Sequence, residues 1–167
     1  AQSGNITFNI DNAITINSSL VINSAASNSL GNSGDIQFDS ENITLTAAVV
    51  GANNLSVGNG GNISLSAGNI AVNDNSVLDT QAFDLRNGGN ISLSARELIS
   101  FSNSEVNTRG GVGGEIFFSA QDLNILNSNI LAGIQPGLGE VNQPAKDVVF
   151  DIAATVTINN SLISNLV

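Results

Sequence analysis

The chain has no cysteine, histidine, methionine, tryptophan or tyrosine. Without cysteine there is neither a disulfide framework nor a thiolate metal site. Without histidine, the most frequent general base is missing. Charge is scarce as well. Asp, Glu, Lys and Arg make up 11% of the 167 residues, where about a quarter is usual. Four cations stand against 14 acids, a net charge of −10. So few positive groups cannot neutralise a run of phosphates, which excludes a nucleic-acid partner and makes an anionic membrane surface equally unsuitable. No apolar run approaches the roughly 18 residues of a membrane span, so no membrane insertion is expected. The lack of methionine and of a signal peptide reads as a processed chain or an excised segment.

What is present is aliphatic side chains, at a level that argues against disorder, set among Asn, Ser and Gly rather than Lys and Glu. This mixture does not favour helix. It is organised as a repeat, the feature to seek before local structure is assigned. Gly-Gly-Asn-Ile-Ser-Leu-Ser-Ala occurs from Gly60 to Ala67 and again from Gly88 to Ala95. Looser copies start at Ser3-Gly4-Asn5-Ile6, Ser33-Gly34-Asp35-Ile36, Gly113-Gly114-Glu115-Ile116 and Lys146-Asp147-Val148. Units therefore begin near residues 4, 34, 61, 89, 114 and 146.

Aligned, the units form columns. Ile6, Ile36, Ile63, Ile91, Ile116 and Val148 are followed two residues later by Phe8, Phe38, Leu65, Leu93, Phe118 and Phe150. Ile10, Ser40, Ala67, Ala95, Ala120 and Ile152 come two further on. A period of two places these on one face of a strand. After a short turn come Ile14/Ile16, Ile43/Leu45, Ile70/Val72, Ile99/Phe101, Leu123/Ile125 and Val156/Ile158, read as a second strand. A corner of small residues (Ser18-Ser19, Ala47-Ala48, Asp74-Asn75, Asn103-Ser104, Asn127-Ser128, Asn160-Ser161) leads to a β-branched column of Val21, Val50, Val77, Val106, Ile130 and Ile163. Such a unit cannot bury its apolar face alone; stacked at about 4.8 Å per coil, its equivalents build a continuous interior. The fold expected is all-β, a right-handed parallel β-helix (β-solenoid) of about six coils of 25–33 residues, one segment over 1–167. Without polar caps at either end, it reads as part of a longer rod, or one whose open ends self-associate. Length variation falls on the third side of each unit, and the longest connector, 131–145, holds both prolines, Pro136 and Pro144.

With its Gly-Gly-Asn-Ile-Ser-Leu-Ser-Ala blocks and Asn/Ser corners, the sequence resembles the repeat region of filamentous-haemagglutinin-like proteins, the exoproteins of bacterial two-partner secretion. The resemblance spans all six units. It implies a right-handed β-helix, export through an outer-membrane secretion pore, and a role in adhesion, aggregation or biofilm at the bacterial cell surface. The ligand, whether host cell, glycan or matrix, is not specified. That family's secretion domain carries Asn-Pro motifs; this chain has none and corresponds to downstream shaft.

Catalysis needs clustered carboxylates with a base or cation on one outer face. In the outward columns only Glu115 and Asp147 are acids on adjacent coils, and no arginine stacks near them. The chain is therefore expected to be no enzyme, with a polysaccharide lyase or hydrolase as the rival. A glycine-rich nonapeptide from Gly110 to Phe118 approaches a calcium-binding repeat. It occurs once and has Glu115 where Asp is wanted, so no metal or other cofactor is expected. Four of the seven phenylalanines fall in the first-strand column and Phe101 is also interior. Phe117 points outward beside Val149 on the next coil, a candidate contact patch expected to be covered by the 131–145 connector.

Overall fold

The computed structural model describes residues 3–25, 30–83, 85–135, 137 and 144–166. Its strands fall into two parallel sheets. The long strands are β1 (Ile6–Asn17), β3 (Ile36–Thr46), β5 (Ile63–Asn73), β7 (Ile91–Ser102), β9 (Ile116–Leu126) and β11 (Val148–Asn159). They pair in the order β1-β3-β5-β7-β9-β11. The short strands are β2 (Leu20–Ile22), β4 (Val49–Gly51), β6 (Val77–Asp79), β8 (Glu105–Asn107), β10 (Asn129–Gly133) and β12 (Leu162–Leu166). They stack in the same sequence of coils. The chain is a β-solenoid: five full turns, topped by a sixth level made of β11 and β12 alone. The expectation of about six coils is corrected by that much.

The columns read from the sequence are the pairing register. Ile6↔Ile36, Phe8↔Phe38, Ile36↔Ile63, Phe38↔Leu65, Ile63↔Ile91, Leu65↔Leu93, Leu93↔Phe118 and Phe118↔Phe150 are all direct partners. Their side chains fill a single core in which Ile36, Phe38, Ile63, Leu65, Ile91, Leu93, Ile116 and Phe118 are wholly buried. Each large side chain so buried contributes about 1.5–3 kcal/mol. Phe8 meets Phe38 edge-on at 5.1 Å, and Phe118 stacks on Phe150 at 5.3 Å.

Two details differ from expectation. The turn separating two strands in each unit is instead a bend inside one continuous strand. At Asp11–Ala13, Glu41–Asn42 and the equivalent places, consecutive residues face outward while the ladder continues across them, with a shift of register in most pairs. The β-branched column is also broken once. Val50 pairs with Leu78, and Leu78 with Val106, so Leu78 is the buried member and Val77 is turned out beside Val49 and Glu105. The cause is one extra residue in the third corner. Other corners place a single residue in the left-handed region (Ser18, Ala47, Asn103, Asn127, Asn160), whereas here Asp74 and Asn75 both have positive φ, 54° and 65°. Asp and Asn tolerate that conformation better than most side chains.

The opening glycines have a different rationale from the one that a Gly-rich turn suggests. Of the glycines from Gly110 to Gly114, only Gly113 has a positive φ. Gly34, Gly61, Gly89 and Gly114 stack on one another, and a Cβ on Gly89 would lie 1.9 Å from the Gly61 carbonyl oxygen. Glycine is required there because backbone meets backbone.

Candidate functional site

The two residues of the expected contact patch are brought together. Val149 pairs with Phe117 across β11 and β9, and both are half-buried. On its other side Phe117 faces Ser92. Residues 136 and 138–143 of the connector proposed to cover them lie outside the described residues. Glu115 and Asp147 do fall on adjacent coils, where the Ile116 N–H donates to the Asp147 carbonyl at 3.0 Å, and both side chains are exposed. Among the described residues no three acidic, His or Cys side chains are grouped to hold a metal ion.

Sequence reasoning passed over four surface features. The first is an open groove of about 340 Å³ along the corner of the third to fifth coils, lined by Asn75, Val77, Asn103, Ser104, Glu105, Asn127 and Asn129. The extra corner residue forms its rim. Its signal was Ser76, which continues the corner serines Ser19, Ser104, Ser128 and Ser161 and marks Asp74-Asn75 as one residue too long. The second is a polar cluster at the end of β6. The Asp79 Oδ2 accepts from Asn53 Nδ2 at 2.9 Å, and Oδ1 from the Gln81 N–H at 3.3 Å. Burial pushes the Asp79 carboxyl above its ordinary range, and these hydrogen bonds offset only part of that shift. Next to it Arg109 Nε donates to Asn107 Oδ1 at 3.0 Å.

The third feature is a line of exposed apolar side chains on the variable side: Leu30, Leu55, Val57, Phe83 and Leu85. Asn54 bridges Ala25 and Ala82 there, which sets Leu55 and Phe83, the residues after Asn54 and Ala82, on neighbouring coils. An ion pair spans a whole coil on the long sheet. Arg96 of the fourth coil binds Glu41 of the second, passing over Gly68, where a Cβ would lie 2.8 Å from the Glu41 carboxylate.

Among the described residues, none of these features assembles a nucleophile, base and oxyanion donor within reach of one another. Comparison with family models, with curated proteins and with solved structures gave no match to this chain.

Proposed function

We propose that the chain is a structural rod segment of a secreted, adhesin- or haemagglutinin-like bacterial surface protein, non-catalytic, and exported through an outer-membrane pore. The observation that carries this reading is the division of labour between inside and outside. The interior is an apolar column that runs through every coil, with Ser40 as a polar exception within it. The outward positions are mostly Asn, Ser and Thr, with scattered acids such as Asp35, Asp39, Glu115, Asp147 and Asp151, and they do not converge on a reactive centre among the described residues. The repeat character that resembles two-partner-secretion exoproteins supports surface localisation, and the lack of cysteine suits passage through an oxidising periplasm.

Two measurements test it. Antibodies against the folded chain are expected to label intact producing cells; labelling only after permeabilisation would refute the surface assignment. Polysaccharide cleavage, assayed with and without calcium, is expected to be absent. Cleavage that is lost in Glu115→Gln or Asp147→Asn would replace the rod with an enzyme.

A further inference from the structure

The run Asn-Gly-Gly-Asn-Ile-Ser-Leu-Ser-Ala stands twice in the chain, from Asn59 to Ala67 and from Asn87 to Ala95. Asparagine is thermally labile, and most so before glycine, which has no side chain to hinder its own nitrogen and leaves the backbone free to turn. The two Asn-Gly pairs share the same downstream sequence and hence nearly the same intrinsic reactivity. A difference between them comes from the fold.

Asn32, Asn59 and Asn87 form a ladder at the seams between coils. Asn32 Oδ1 accepts the Asn59 N–H at 2.9 Å, and Asn59 Oδ1 accepts the Asn87 N–H at 3.2 Å. The residue after each rung is held in the same way. The Ser33 N–H donates to the Asn59 carbonyl at 3.1 Å, and the Gly60 N–H to the Asn87 carbonyl at 3.0 Å. The ladder stops at Asn87. The next unit begins only 25 residues on, from Gly89 to Gly114, the shortest spacing in the chain. Its Gly111 N–H takes the Arg86 carbonyl at 2.7 Å instead. Gly110 lies against the Gly88 nitrogen, which a Cβ on it would approach to 2.6 Å. Among the described residues, neither the Gly88 N–H nor the Asn87 side-chain amide has a hydrogen-bond partner. Gly88 is nevertheless buried, and a buried N–H without a partner is rare. The Asn87 side chain is exposed and free to swing, whereas Asn59 is half-buried.

From this contrast we infer that Asn87 is a site of spontaneous deamidation in the folded chain, and that its twin Asn59 is held back by its place in the ladder. The Gly88 nitrogen gives up its proton to water or hydroxide and attacks Asn87 Cγ. A C–N bond forms there, the bond from Cγ to the amide nitrogen breaks, and ammonia leaves. Water then opens the resulting succinimide at either carbonyl, giving aspartate or its β-linked isomer, with nothing oxidised or reduced. At Asn59 the same attack must first break the Gly60 hydrogen bond and draw Oδ1 away from the Asn87 N–H. The product puts a new carboxylate on a face that carries few charges. Its β-linked form, one backbone atom longer, falls where the Asn87 N–H and carbonyl hold Asn59 and Gly60. This goes beyond the rod reading and does not depend on export.

The test uses the 167-residue chain without substitution, incubated at mildly alkaline pH both folded and in urea. Peptide mapping by mass spectrometry follows the change from amide to acid at each Asn-Gly pair, and circular dichroism verifies the folded sample. Urea supplies the reference ratio of the two rates, expected to be near one. In the folded chain Asn87 is expected to outpace Asn59 by roughly two- to tenfold relative to that reference, the factor that one hydrogen bond is worth. A folded ratio no greater than the reference would overturn the proposal. So would a folded chain in which Asn87 stays intact over a period that converts it in urea.

Discussion

Ser40 sits where Ala67, Ala95 and Ala120 sit in later coils, and its buried hydroxyl has no hydrogen-bond partner among the described residues. An unsatisfied buried polar group costs about 1–3 kcal/mol. Ser40→Ala is therefore expected to stabilise the chain by about 1 kcal/mol in urea denaturation; a loss of stability would mean that the hydroxyl is paired in solution. Asp79 gives a pH signature. Its carboxyl is raised above the ordinary 3.8 by burial, so the native state holds the proton more tightly than the unfolded chain does. The stability this gives is present below the ordinary value and is lost as pH rises through the native one. Asp79→Asn is expected to gain on the parent between pH 3 and pH 7, and a parent that gains on the variant over that range contradicts the assignment. The interior role of Ser40 was legible from its column. That of Asp79 was not, because its burial arises from the third side, where the sequence does not repeat and no column exists to read.

At the scale of elements, the strands were legible because period-two alternation recurred six times at matching places. The bends inside the long strands were not, since a few polar residues between apolar pairs look like a turn that breaks the ladder. Only hydrogen bonding across it distinguishes a bend. The same holds for Val77 and Leu78. Both are apolar and adjacent, and the choice between them rests on a single extra left-handed residue at Asp74-Asn75. Where the third side meets the next unit, interior hydrogen bonds close the coil. Thr80 Oγ1 donates to the Gly89 carbonyl at 2.6 Å and Thr108 Oγ1 to that of Gly114 at 2.7 Å. Gly89 also has its α-carbon against the Gly61 carbonyl. Gly89→Ala must push two coils apart and is expected to destabilise the chain by about 1–3 kcal/mol. Gly4→Ala, whose added Cβ would meet nothing within 4 Å, is expected to be silent when the two variants are compared by thermal melting. Equal effects would mean the glycine stack is not a close approach.

For the whole molecule, the architecture was legible because a repeat states one unit several times, so chance alternation in one copy is corrected by the others. The surface was far less so. The groove rimmed by Asn75, the exposed Leu55 and Phe83, and the Arg96–Glu41 pair across an intervening coil all depend on which coil lies above which. That depends on the variable connectors. The central claim is that equivalent residues climb one axis in even steps. Thr15, Thr44, Ala71, Ser100, Asn124 and Thr157 are successive partners along the long sheet. Spin labels at Thr15 and Asn124, and at Thr15 and Thr157, measured with labelled chain diluted in unlabelled, report that axis directly. The solenoid predicts backbone separations of roughly 19 Å and 24 Å, growing by one coil spacing. Distances that fail to grow from the first pair to the second would contradict it.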